Sequence, residues 1–277
     1  MPESQTPRVS VVTTVYNGER YVDRAIPGIL GQTFEDFEWV LVDDGSSDRT
    51  PEILRDLARR DSRVRVFSPG RLGIAVAANY GVSQARGEYI ARQDFDDRSY
   101  PDRLRLQVAA LDADPKVGLV GGHYVLVDEN RGERYVRMPP DGHAAIVASM
   151  AKGIPFANTL VTFRRQAWTE AHGYPEVADI EDLLFWIKLA HLGWRFASIP
   201  EPLGEHYVHP ASFFHRSFKY AQRQRALARV QAHAIRQLGL PGWMHLFPLG
   251  RYTYAYCPTP LKRVLRRALA GSQERDF

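Results

Sequence analysis

The 277-residue chain has one cysteine, Cys257. An intrachain disulfide and a cysteine-based zinc site are therefore both excluded. No charge-free run is long enough to cross a bilayer. Residues 238–250, for example, give 13 positions without Lys, Arg, Asp or Glu, against the roughly 18–20 apolar residues a spanning helix needs. The opening Met1-Pro-Glu-Ser-Gln-Thr-Pro7 lacks a basic segment followed by an apolar one, the pattern of a signal peptide. These absences lead us to expect a cytoplasmic protein, with peripheral contact to the inner face of the cell membrane left open. Internal repeats and low-complexity tracts are missing too, and 44% hydrophobic against 25% charged residues excludes a wholly disordered chain.

Negative charge is scarce in one region. From Phe213 onward, only Glu274 and Asp276 oppose twelve Lys and Arg, a net of +10; with +4 overall, residues 1–212 carry −6. An acidic body with a basic tail suggests a tail that faces something anionic. A membrane surface and an acidic partner both fit. No recognisable DNA- or RNA-binding motif accompanies the basic residues, so nucleic acid is not an expected partner.

What is present is an alternation. Residues 8–16 are β-branched and apolar almost throughout, which predicts a buried parallel strand. A helix over 19–30 follows, with Pro27 expected to kink or shorten it. Phe37–Asp43 reads as a second strand, and a helix then opens with Thr50 as its cap and Pro51 in its first turn. Strands at 64–67, 89–93, 117–127, 159–163 and 195–199 alternate with helices at 74–85, 101–111 and 180–192. The pattern from 212 to 238 is long, helical and basic. Strands separated by helices imply βαβ units and a mainly parallel sheet flanked by helices.

Three clusters carry possible chemistry. Val42-Asp-Asp-Gly-Ser-Ser-Asp48 falls at the C-terminal end of a predicted strand, where open α/β sheets bind ligands; an ordinary turn made of Asp, Ser and Gly fits equally. In Gln93-Asp-Phe-Asp-Asp97, three carboxylates within four positions repel one another unless a cation or donors compensate. An oxygen-rich site for Mg²⁺ or Mn²⁺ explains all three; capping of the next helix by Asp97 or Ser99 explains one. Glu181-Asp182 begins an otherwise apolar helix. Compensation of the helix dipole is the simpler reading of this pair alone, and a general base is the alternative.

Taken in order, Ser10-Val-Val-Thr-Thr-Val-Tyr-Asn17, Gly31-Gln-Thr-Phe34 and the Asp43–Asp48 cluster strongly resemble the start of family 2 glycosyltransferases. Asn79-Tyr-Gly, Gly87-Glu-Tyr-Ile90 leading into Asp94–Asp97, Glu181-Asp182 and His209-Pro-Ala-Ser212 continue the resemblance over roughly residues 8–212. It implies a GT-A (Rossmann-like) fold over 1–212, with a donor half to about 115, an acceptor half after it, and a helical basic extension over 213–277. It further implies a nucleotide-sugar donor, Mn²⁺ or Mg²⁺, inversion at the anomeric carbon and a glycan or lipid-linked acceptor. Carried across by position, Thr14, Tyr16 and Asp44 would line the nucleoside pocket, and Asp94 and Asp96 would hold the donor. Asp96, Asp97 and His209 would bind the metal. Asp182 would be the base, with Glu181 the second choice.

The chain also departs from that pattern. Phe95 stands where the family usually has a small residue, and is expected to reshape the sugar pocket. His206-Tyr-Val-His209 replaces a frequent Tyr-Arg-x-His, so a cation near the phosphates is expected to be missing. Gln222-Arg-Gln-Arg225 echoes a motif of processive synthases, but Ala226 takes the place of its tryptophan. Single-sugar transfer is therefore expected. A nucleotidyltransferase would carry a Gly-rich turn with basic residues where Tyr16-Asn-Gly-Glu-Arg20 stands. Residues 261–269 read as a basic amphipathic helix preceded by aromatics, which suits a membrane surface or packing on the domain.

Overall fold

In the computed structural model, which describes residues 6–177, 180–210 and 220–257, the sheet grows outward from Val9–Val15 (β1). This strand is buried on both sides, as its run of Val and Thr requires. Phe37–Asp43 (β2) and Tyr89–Arg92 (β4) flank β1 in parallel, and Val64–Phe67 (β3) extends the sheet beyond β2. Helices Val22–Leu30 (α1), Thr50–Arg60 (α2) and Ile74–Gln84 (α3) make the connections.

The second half is mixed. After Arg98–Ser99 (β5) and Arg103–Ala113 (α4) come the long strand Val117–Asp128 (β6) and the exposed strand Glu133–Arg137 (β7). His143–Ser149 (α5), Thr162–Arg164 (β8), Arg165–Glu170 (α6) and Glu181–His191 (α7) lead into Arg195–Val208 (β9). The strand order is β3-β2-β1-β4-β8-β6-β9-β5, with β7 paired to β6. Most paired residues lie in parallel ladders, as expected. Tyr220–Gln237 (α8) and Leu246–Tyr256 (α9) close the described chain. The proposed helix at 261–269 and the first residues of the one expected from 212 lie outside the described residues.

Period-two alternation along β1 sorts its side chains into two cores. Val9, Val11 and Val15 pack with Ile29 of α1, Leu54 of α2 and Leu104 of α4. Val12 packs on the opposite face with Ala77 and Val82 of α3 and Phe185 of α7.

Several local expectations change. A 3-10 turn at Glu19–Tyr21 precedes α1, which continues through Pro27 to Leu30. Thr50 does not cap α2: its Oγ1 accepts the Gly18 N–H at 2.8 Å instead, tying the turn after β1 to the start of α2. Neither Asp97 nor Ser99 caps α4, since Ser99 lies in β5 and donates to Gln93 Oε1 at 2.6 Å. Phe95, expected at the sugar pocket, is buried in the core beneath α1, close against Gly18. Residues 159–163 divide into a 3-10 turn and β8, and β9 runs nine residues past its expected end at 199.

Candidate active site

Because β2, β1 and β4 are parallel neighbours, the residues that follow them emerge on one edge of the sheet. Tyr16 follows β1, Asp44 follows β2, and Asp94–Asp97 follow β4. Asp44 is buried and gripped by the next loop. Leu72 N–H donates to it at 2.6 Å, Gly73 N–H at 3.2 Å and Arg71 Nη1 at 2.8 Å. Gly73 has φ +89°, a conformation that favours glycine. The Arg71 guanidinium also sits 3.6 Å from the centre of the half-exposed Tyr16 ring. Thr14, paired with Val42 inside the sheet, is part-buried.

The acidic run separates into three environments. The Asp94 backbone N–H donates to Thr159 Oγ1 at 2.9 Å, and its carboxylate accepts from Arg92 Nη2 at 3.3 Å. Burial and the neighbouring Asp97 and Asp96 carboxylates outweigh Arg92 and raise its pKa to about 6. Asp96 is part-exposed and faces His209 Nε2 at 2.9 Å. Asp97 is fully buried, its oxygens held by Tyr207 N–H at 2.7 Å and by His206 Nδ1 at 2.9 Å. Burial by itself would lower His206; the Asp97 carboxylate outweighs this and raises it to about 9.

The structure thus brings Asp96 and His209 together, while the Asp97 oxygens are taken up by the Tyr207 N–H and by His206. Among the described residues, no three His, Cys, Asp or Glu side chains form a ready metal cage. Asp96 and His209 still supply a carboxylate oxygen and an imidazole nitrogen, and that donor set fits a divalent cation completed by ligand oxygens.

A cation does stand near this corner, on α1. Arg24 stacks 4.0 Å over the Tyr207 ring, reaches the Asp96 carbonyl at 3.4 Å and pairs with Glu129. Tyr21, on the turn before α1, donates to or accepts from His209 Nδ1 at 3.1 Å.

Glu181 and Asp182 open α7 across from Asp94. Burial, then the adjacent Asp182, pushes Glu181 up to about 8, and its Oε2 is buried with no hydrogen-bond partner among the described residues. Burial raises Asp182 only to about 6, because the Leu183 N–H donates to it at 2.6 Å. Together the pair is set to hold one proton near neutrality, with Glu181 the more strongly raised of the two. Arg92 spans the two sides: its buried guanidinium donates to the Val12 carbonyl at 3.0 Å, holds Asp94, and favours the ionised forms of both α7 acids.

Reasoning from the sequence missed Tyr21, Arg24, Arg71 and Arg92. Only Arg92 left a signal, as a charge at the end of the apolar strand Tyr89-Ile-Ala-Arg92.

Comparison with known proteins bears on this arrangement. The family model described as "Glycosyl transferase family 2" matches residues 10–173. EpsE of Bacillus subtilis (strain 168), named as a glycosyltransferase, is 34% identical over 85% of this chain and 84% of its own length. EpsH of the same organism, also named as a glycosyltransferase, is 28% identical over 76% of this chain and 64% of its own. Among solved structures, the fold matches a mannosyltransferase of Pyrobaculum calidifontis in complex with GDP-Man and Mn²⁺, with TM-score 0.66 and 22% identity over 98% of this chain and 82% of that one. It also matches S. aureus TarS in complex with UDP-GlcNAc, with TM-score 0.69 and 20% identity over 96% and 77%. At these identities the two structures establish a shared fold, the GT-A architecture.

Proposed function

The chain belongs to glycosyl transferase family 2, and on that footing we propose that it transfers single sugars, with inversion, from a nucleoside-diphosphate donor to a glycan or lipid-linked acceptor. Cell-surface polysaccharide synthesis is the setting we assign to it, at the cytoplasmic side of a membrane. The bacterial relatives named as glycosyltransferases support the reaction class. The basic C-terminal region supports a location beside anionic lipid, where lipid-linked acceptors reside.

One observation carries the reading. A clasped Asp44 beside the half-exposed Tyr16 ring stands at the same strand ends as Asp94, whose partner Arg92 also acts on the acid pair of α7. Asp44 suits a polar edge of the nucleoside, and Tyr16 offers a ring for the base to stack on. Asp94 and Asp96 would bind the donor between nucleoside and sugar. Asp96 and His209 would hold Mn²⁺ or Mg²⁺, with Asp97 fixing the strand that carries His209. Bound there, the cation supplies positive charge to the departing diphosphate.

Asp182, ionised at neutral pH, would accept the proton of the acceptor hydroxyl, a weak nucleophile until that proton leaves. Glu181, held neutral, would keep a second negative charge away from the base. Arg92 would hold donor-side and base-side carboxylates at a fixed separation, so that binding both substrates aligns them for attack.

The test is a thermal-shift and calorimetric screen of the purified protein with UDP, GDP, dTDP and CMP, each with Mn²⁺ and with EDTA. The expected result is stabilisation by one nucleoside diphosphate only when metal is present. At about a hundredfold excess over Kd, the gain is about 2.7 kcal/mol. Absence of metal-dependent binding to all four would favour a catalytically silent relative acting as a membrane scaffold.

A further inference from the structure

An ordinary surface helix turns its large apolar residues inward and its small or polar ones to water. In α9 the order is reversed. Its buried residues are Pro248 and Ala255. Leu246, Leu249 and Tyr256 stand outward at 66%, 58% and 55% exposure, with Tyr252 between them at 44%. Their spacing of three and four places them along one side of the helix. Trp243, at 58% exposure in the 3-10 turn Gly242–His245, extends the stripe backwards. Exposed Leu residues are unremarkable singly; five large side chains in one line are not.

The surroundings are cationic. Lys152 lies 5.2 Å from the centre of the Phe247 ring, and Arg225 of α8 lies 5.8 Å from that of Tyr256. Arg229 of α8 also acts electrostatically on Tyr252. From His206 to Gln273, a run of 68 residues, the sequence contains no Asp or Glu. Leucine at the centre, Trp and Tyr alongside, and Arg and Lys at the rim match the layers of a bilayer surface: acyl boundary, glycerol level and anionic headgroups. Two copies pressed face to face would bring these cationic rims together, a repulsive arrangement. Among the described residues no helix is long and apolar enough to cross a membrane, so the contact is with the surface.

We propose that α9 and the turn before it form a membrane-docking face that seats flat on an anionic lipid bilayer. This face is built by described elements, Gly242–His245 and Leu246–Tyr256. It does not depend on sugar transfer: docking needs neither nucleotide nor metal, so either reading can fail while the other stands.

The experiment is co-sedimentation of the full-length protein with vesicles of phosphatidylcholine alone and of phosphatidylglycerol and phosphatidylcholine in equal parts, without nucleotide. Binding is expected to the mixed vesicles only, with a blue shift in tryptophan emission. The triple variant Trp243→Ser, Leu246→Ser, Leu249→Ser should bind at least about tenfold more weakly, yet melt as the parent does, since the replaced side chains are exposed. Arg225→Gln should weaken binding roughly fivefold. No binding by the parent, or equal binding to both vesicle types, overturns the proposal. Unchanged binding by the triple variant also overturns it and assigns adhesion to residues 258–277. A parent dimer that the triple variant converts to monomer, without vesicle binding, would instead make the face a contact between copies.

Discussion

Glu181 and Asp182 are neighbours in sequence, yet their surroundings divide them. Burial raises both, the Asp182 carboxylate raises Glu181 further, and the Leu183 N–H donating to Asp182 holds that residue lower. Asp182→Asn should therefore lower kcat by about 10²–10⁴ while donor Kd stays as in the parent. The acid limb of the parent's pH–rate profile should fall near 6. Asp96→Ala should instead weaken the Mn²⁺-dependent binding of donor. Isothermal titration with donor, with and without EDTA, separates the two. An equal loss of donor affinity in both variants would sink the division of roles.

Among the elements, the two-residue strand β5 has an importance out of proportion to its length. It is squeezed between backbones. A Cβ on Gly28 of α1 would lie 2.9 Å from Ser99 N, and one on Gly204 of β9 would lie 2.3 Å from the Arg98 carbonyl oxygen. The loop carrying Asp94, Asp96 and Asp97 leads directly into this strand. Gly204→Ala should cost about 1–3 kcal/mol and lower metal-dependent donor affinity, because β5 cannot yield without moving that loop. Paired melting and titration experiments check this; a lower Tm with unchanged donor affinity would show that the loop is held from elsewhere.

The same region shows where the sequence could be read and where it could not. Strands β1 and β2 are seven-residue, largely apolar runs and β4 a shorter one, each closed by turn residues, so their positions and the acids at their ends were legible. β5 is too short to carry a period, and β7 is fully exposed and pairs only along one side. β9 crosses the sheet margin through Pro200, Glu201 and Pro202, residues that read as a loop. Its continuation fixes Asp97 through His206 and brings in His209, and no local pattern announces either contact. Arg24 and Tyr21 reach the same corner from α1 through tertiary packing alone.

For the molecule as a whole, the buried acid pair makes stability depend on pH. Glu181 titrates at about 8 in the folded chain against 4.5 ordinarily. The folded state therefore holds a proton that the unfolded chain has released. Its stabilising contribution is complete below about 4.5 and is lost as pH rises through about 8. Asp182 acts with the same sign between 3.8 and about 6. Glu181→Gln, neutral at every pH, should flatten the fall in Tm over that window and melt higher than the parent at its upper end. Differential scanning fluorimetry across pH checks this, and an unchanged slope would show that Glu181 is solvated.

The contact between Tyr21 and His209 joins residues 188 positions apart. A growing chain leaving the ribosome has β1 to β4 and their acids in hand long before β9 is made. During that interval, Asp96 and Asp97 lack both histidines, and the parallel strands lack their outer neighbours. The protein thus acquires its Asp44 edge early in synthesis and the Asp96–His209 corner only near the end. On the roles proposed above, competence to load a donor would be a late checkpoint on complete folding.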